Sequence, residues 1–295
     1  MTSNINIPVH KPRFYENRNR FAFCENKICG LTPVTLSLCA IVRNCESRVA
    51  EWLAFHRLMG VERFFIAIHH CDDRTEERIR ALPFSHDIIL EHIPLNASLP
   101  QMGAYEEIFA RYKDTTRWMI VIDDDEFLFS DLRRDLKEIL SRYEAYGGVC
   151  VHWRWFGSNN HVLRPEGLTI ENYTRRAKND YVMHRGVKSI IQTSAYRGVA
   201  SPHLFWTEPE CCTTKYLPVS PVHHWQSGYH PQWFALRIHH YKVKSMEDWV
   251  LRVRRGDCTL INPKPVDVAQ YFLEDKNDIV DTILLPCADE VKRFM

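Results

Sequence analysis

The chain has 295 residues, 45% of them hydrophobic and 25% charged, with 38 Lys+Arg against 37 Asp+Glu. That length holds one large domain or two small ones with a sizeable core, and those fractions exclude a disordered or collagen-like chain. A formal net charge of +1 argues against a dedicated nucleic-acid binder, which carries a clear basic excess.

Residues 1–30 read as a polar extension. Lys11, Arg13, Arg18, Arg20 and Lys27 are interleaved with Phe14, Tyr15, Phe21 and Phe23, and no apolar stretch of a signal peptide follows. No run approaches the ~20 apolar residues that a spanning helix needs. The 10 cysteines include no CxxC pair, so the expectation is free thiols in a reducing cytoplasm; a trimmed lumenal enzyme is the alternative. Cys211-Cys212 and His223-His224 lack the spacing of zinc ligands.

The stretch 34–43 reads as a buried strand, rich in β-branched and Leu residues. Ser47 is placed to cap a helix running to Met59. Val49, Trp52, Leu53 and His56 share one face of it, and Gly60 sits just past its end. Val61 to Ile68 is a second strand. Strand, helix and strand with short connections open a parallel α/β sheet. Asp72, Asp73 and Thr75 start a helix over 76–82, 88–93 is a third strand, 102–112 is helical, and 118–122 is a fourth strand. The pattern then predicts an amphipathic helix over 131–146 and a strand over 148–155. Residues 156–231 are looser, with a strand over 187–192. Ser245 caps a last clear helix, with Asp248 as its capping-box partner. The domain reading is an extension (1–30), a catalytic domain (31–245, with a nucleotide-binding half 31–130 and an acceptor half 131–245) and a C-terminal helical segment (246–295).

The most informative residues are Asp123-Asp124-Asp125-Glu126, which follow the apolar run 119–122 directly. Packed like charges repel and resist desolvation, so folding alone gives no reason for four carboxylates there. A hard divalent cation offsets the repulsion, since oxygen ligands suit Mg²⁺ or Mn²⁺. The ends of strands are also where open α/β sheets bind ligands. Alternation along an extended chain would put Asp123 and Asp125 on one side and Asp124 on the other. A solvated acidic turn is the plainer alternative.

The block from Arg117 to Leu128, with Trp118, Asp123, Asp125, Glu126, Phe127 and Leu128, resembles the W-x-x-x-x-D-x-D-E-F-L block of glycosyltransferase family 92 and of family-2-like glycosyltransferases of GT-A fold. Arg43-Asn44, then Glu51-Trp52-Leu53, His56 and Gly60-Val61, resemble the family's first-strand signature. Ile238-His239-His240-Tyr241, then Lys244-Ser245, resemble its C-terminal segment, and Trp155 to Ser158 and Lys188 to Ile190 match weaker signals. The likeness covers roughly residues 34–256. Cys45 stands where the family usually has Glu, and His239 where it often has Asn.

The resemblance implies a GT-A, Rossmann-like mixed sheet with helices on both faces plus the C-terminal helical segment. It implies a metal-dependent, inverting transfer of a hexose from a nucleotide-sugar, with UDP-sugars the first candidates, to a hydroxyl of a glycan or glycolipid. The cofactor would be Mn²⁺ or Mg²⁺, stabilising charge on the leaving diphosphate. Asp123, Asp125 and His240 are the metal residues it points to. Arg43, Asn44, Asp73, Gln101, Tyr105, Asp123 and Lys244 are the nucleotide-sugar candidates. Lys244, Arg252, Arg254 and Arg255 put positive charge near the last motif, which suits a diphosphate or, in a peripheral membrane association at the inner face, anionic lipid. The general base is sought among Glu166, Glu171, Asp180, Glu208 and Glu210, with Glu208 favoured because it follows His203-Leu204-Phe205-Trp206. Trp153, Trp155, Phe156, Trp206 and Trp225 are candidates for stacking on sugar rings. A non-catalytic nucleotide-sugar or glycan-binding protein on the same scaffold is the alternative function.

Overall fold

The computed structural model describes residues 30–94, 97, 99–130, 135–255 and 268–295. The expected N-terminal extension lies outside them, as do residues 131–134 and the Arg255 side chain. The first half alternates β1 (Val34–Val42), α1 (Val49–Leu58), β2 (Arg63–Ile68), α2 (Thr75–Arg80), β3 (Ile88–His92), α3 (Pro100–Tyr112) and β4 (Thr116–Val121). Then follow β5 (Glu126–Ser130), α4 (Leu136–Leu140), β6 (Gly148–Trp155), α5 (Thr169–Asn172), β7 (Arg175–Arg176) and β8 (Val187–Gln192). Short strands β9 (Tyr196–Val199), β10 (Phe205–Thr207), β11 (Cys211–Thr213) and β12 (Pro218–Val219) precede β13 (Leu236–His240). The chain ends with α6 (Met246–Arg255), α7 (Val268–Glu274), β14 (Ile279–Val280) and α8 (Ala288–Phe294).

The sheet is mixed α/β, in the order β3-β2-β1-β4-β8-β6-β11-β12. The first four strands are parallel, and β8 runs antiparallel between β4 and β6. Each buried strand splits its side chains between two layers, because successive residues point to opposite faces. Leu36, Leu38 and Ala40 of β1 meet Trp52 and Phe55 of α1 in one core. Cys39 and Ile41 meet Tyr105, Ile108 and Phe109 of α3 in the other. Helices therefore cover both faces, and each large apolar side chain so buried contributes about 1.5–3 kcal/mol.

Three local expectations need correction. Ser47 does not cap α1; the N-cap residue is Arg48, and no side chain caps it. Of the amphipathic helix expected over 131–146, residues 131–134 lie outside the described residues, and over 135–146 the helix is the five residues of α4, capped by Asp135 and followed by a 3₁₀ turn. Residues 126–130, for which the sequence pattern predicts no element between the fourth strand and that helix, form a fully buried strand, because β13 arrives from far along the chain to pair with it. Half of the expected Ser245–Asp248 capping box is present: Ser245 Oγ accepts from Asp248 N at 3.1 Å and donates to Asp248 Oδ2 at 2.7 Å, while Ser245 N donates to Tyr173 Oη at 3.2 Å rather than to Asp248. The C-terminal segment is not purely helical, since β14 pairs antiparallel with β7. Among the described residues, Cys39, Cys45, Cys71, Cys150, Cys211 and Cys212 are free thiols. Among the described residues, no helix is long and apolar enough to cross a membrane.

Candidate functional site

The acidic residues do not continue β4. They form a turn in which Glu126 N donates to Asp123 O at 3.1 Å and Asp123 N donates to Glu126 Oε2 at 2.8 Å. The expected alternation therefore fails, and each carboxylate finds its own partners. Asp123 accepts from Gln101 Nε2 at 2.9 Å and pairs with Lys188 Nζ at 2.8 Å. Asp124 pairs with Arg48 Nη2 at 2.5 Å. Asp125 Oδ1 lies 3.4 Å from His240 Nε2, and its Oδ2 3.4 Å from Arg252 Nη1. Separate counter-charges answer the like-charge repulsion that a single extended face of carboxylates would meet.

Two elements hold the turn. Trp52 of α1 donates its indole N–H to the Glu126 carbonyl at 2.8 Å. His56, one turn on, accepts the Leu128 N–H at 3.2 Å while its other ring nitrogen bonds the Trp52 carbonyl at 2.8 Å. Burial pushes the His56 pKa down to about 3, so the neutral ring serves as a structural acceptor. Glu51, beside Trp52, accepts the N–H groups of Thr169 and Ile170 at 2.8 and 3.1 Å. Trp52 and His56 of the Glu-Trp…His signature thus clasp the start of β5, while Glu51 holds the start of α5. The second element is β13, whose register sets His240 opposite both Glu126 and Trp155. Tyr241 N then donates to the Asp125 carbonyl at 2.8 Å.

Burial opposes ionisation of Asp125, but contact with the His240 ring and the charges of Arg252 and Lys244 outweigh it and hold the carboxyl well below its usual range. Burial also pulls His240 down, toward a neutral imidazole with a lone pair to offer. Asp125 Oδ1 and His240 Nδ1 are buried with no hydrogen-bond partner. An orphaned, ionised carboxylate oxygen facing a neutral imidazole fits a divalent cation. Among the described residues, however, no three His, Cys, Asp or Glu side chains gather as metal donors. The trio Asp123, Asp125 and His240 is not brought together, because Lys188 and Gln101 engage both oxygens of Asp123.

Asp125 opens onto a cleft of about 430 Å³ beyond the ends of β1 and β2, also lined by Arg43, Asn44, Arg48, Asp73, Arg164, Lys242, Lys244, Arg252 and Arg254. Arg43, Asn44, Asp73 and Lys244 thus share one cleft lining with Asp125. Asn44 and Asp73 also have structural duties. Asn44, in the left-handed region at φ 46°, exchanges hydrogen bonds with Asp72, and Asp73 accepts the N–H groups of Glu46 and Thr75, both at 3.0 Å. Lys244, also left-handed at φ 51°, is nearly buried, and burial and Arg48 push its pKa down to about 8. Gln101 and Tyr105 are bonded to each other at 3.0 Å on the Asp123 side, not in this cleft lining. The Cys45 thiol is buried and contacts Thr75 Oγ1 at 3.7 Å, outside the lining.

Glu208 is not brought to the site. Its side chain is 80% exposed and faces Arg197 at 3.5 Å, because β9 and β10 turn it outward at their open end. Glu166, Asp180 and Glu210 are also exposed, and Glu171 pairs with Lys292; none of the five lines the cleft. Trp155 and Phe156 are fully buried core residues, and Trp153 nearly so, whereas Trp206 and Trp225 are half-buried. Sequence reasoning missed Arg48, Arg164 and Lys188 as site residues. A lysine inside the apolar run 187–191 was the available signal for the last, since lysine is almost never fully buried unless paired.

A family model described as glycosyltransferase family 92 matches residues 33–221. Curated glycosyltransferase family 92 proteins of Oryza sativa subsp. japonica and Arabidopsis thaliana are each 26% identical, over 149 and 203 residues. The matches cover 48% and 65% of this chain but only 25% and 31% of those proteins. Among solved structures, S. aureus TarS (residues 1–349) in complex with UDP gives a TM-score of 0.36 at 12% identity, covering 55% of this chain and 48% of that one. Glucosyl-3-phosphoglycerate synthase from Mycobacterium tuberculosis, in complex with Mn²⁺, UDP-glucose and phosphoglyceric acid, gives 0.31 at 16%, covering 41% and 44%. At these scores neither structure assigns a role to any residue here.

Proposed function

The chain belongs to glycosyltransferase family 92, and we propose that it transfers a hexose, with inversion, from a UDP-sugar to a hydroxyl of a glycan or glycolipid. The observation that carries this reading is the meeting of Asp125 and His240, from segments far apart in the chain, at the edge of a cleft rich in cationic side chains. A nucleoside diphosphate leaving group gathers negative charge in the transition state, and preorganised cations aimed at that charge lower the barrier. In this reading Arg43, Lys244 and Arg252 bind the diphosphate, while Asn44 and Asp73 shape the lip that receives the nucleoside. The near-burial of Lys244 limits competition from water, which strengthens its attraction for the anion.

Asp125 and His240 would hold Mn²⁺ or Mg²⁺, and the bound cation would supply Lewis-acid neutralisation of the diphosphate. Two protein donors suffice in such a site, because the substrate's phosphates and water complete the shell. Asp124 stays with Arg48, so its charge is already answered. The test is Asp125→Ala, assayed for transfer across a panel of nucleotide-sugars with Mn²⁺ and for thermal stabilisation by UDP with and without Mn²⁺. Loss of transfer and of the metal-dependent stabilisation, with the fold intact by circular dichroism, is expected. Parental transfer in this variant would refute the site.

A further inference from the structure

Four carboxylates in one turn have to be neutralised before any cation or substrate arrives. Arg48 answers Asp124. The other answer is Lys188, from the middle of β8, whose side chain is wholly buried. Its Nζ lies 2.8 Å from Asp123 Oδ2, 3.9 Å from Glu126 Oε2 and 3.3 Å from the Pro202 carbonyl. Gln101 takes the other oxygen of Asp123 at 2.9 Å. Asp125 alone of the four keeps a buried side-chain oxygen without a hydrogen-bond partner while facing His240; the buried Oε1 of Glu126 is also unpartnered but lies on the Lys188 side of the turn.

We infer that Lys188 is a positioning residue: its ammonium stands where a metal would otherwise sit for Asp123 and so keeps that carboxylate out of the shell of the cation held by Asp125 and His240. The inference rests on the metal site proposed above. Physically, the Lys188 ammonium is wholly buried while its Asp123 partner is 33% exposed, so giving up that carboxylate to a hydrated ion would leave the buried cation uncompensated. The division of labour inside the Asp-x-Asp motif is then set by a residue from a distant strand.

The test measures Mn²⁺ binding to the nucleotide-free protein by electron paramagnetic resonance of the free ion. The parent is compared with Lys188→Met, with the charge-neutral double variant Asp123→Asn/Lys188→Met, and with Asp125→Ala. Removing the ammonium alone releases a carboxylate beside the site, so Lys188→Met should bind Mn²⁺ at least about tenfold more tightly. A residue that merely stabilised the fold would shift binding the other way. The double variant should bind Mn²⁺ as the parent does. Because it removes both charges together, it carries the test even if Lys188→Met does not fold. A loss of about tenfold or more in the double variant, the size expected for a ligand or its close support, would show Asp123 to be a ligand and overturn the inference. So would weaker Mn²⁺ binding in a folded Lys188→Met. Parental Mn²⁺ binding by Asp125→Ala would instead overturn the metal site itself, and with it this role for Lys188.

Discussion

Lys244 makes the cleft sensitive to pH in a way that can be worked out from its surroundings. Burial and the neighbouring Arg48 bring its pKa from an ordinary 10.5 to about 8, against the opposing pull of Asp125, Asp248 and Asp124. A diphosphate in the cleft adds negative charge. At about 4 Å and an effective dielectric near 20, one such charge favours the ammonium by about 4 kcal/mol. The bound protein thus keeps Lys244 protonated well above the pH at which the free protein loses that proton. Affinity for UDP should be level below pH 8 and fall by about tenfold for each unit above it. Isothermal titration of UDP with Mg²⁺ at pH 7 and pH 9 reads this directly, with about a tenfold loss expected at the higher pH. Lys244→Met should bind UDP weakly at both values and show little slope. The linkage for folding has the opposite direction. Between pH 8 and 10.5 the unfolded chain holds the proton that the ligand-free folded protein has given up, so this residue's contribution to stability rises with pH. Parental UDP affinity that is flat from pH 7 to 9, or a slope retained in Lys244→Met, would refute this reasoning.

Arg48→Met removes the ion pair that Asp124 makes with the buried Arg48, and urea unfolding should show a loss of up to about 3–5 kcal/mol. Glu51→Ala strips two buried N–H groups at the start of α5 of their acceptor; the same measurement should show a loss of about 1–3 kcal/mol per group left unsatisfied. Glu208→Gln changes an exposed side chain outside the cleft, so transfer rates should match the parent, and a loss of turnover would place the acceptor against β10 after all. The Asp125→Ala assay given above completes the set.

The first half of the fold was legible because its signals are local. Apolar runs separated by helical periodicity and a glycine in the left-handed region at position 60, φ 97°, mark strand, helix and strand without help from distant residues. The Ser245 hydroxyl that caps the Asp248 N–H is local in the same sense. The acidic cluster was legible as chemistry, since nothing in folding asks for four adjacent carboxylates. Glu208 was not legible in the same way, because closeness in sequence to an aromatic run says nothing about which way a hairpin end faces.

By itself the sequence determined the α/β class and the position of the acidic turn after the fourth strand, and it singled out four of the residues that line the cleft, Arg43, Asn44, Asp73 and Lys244. Tertiary structure alone decided how the four carboxylates divide. Their partners come from α1, α3, β8, β13 and α6, and no periodicity in 123–126 records them. The strand at 126–130 exists because β13 returns to pair with it, and the same pairing delivers His240 to Asp125. Backbone hydrogen bonding between distant segments and the matching of buried charges are pairwise properties, so neither half of a pair announces the other.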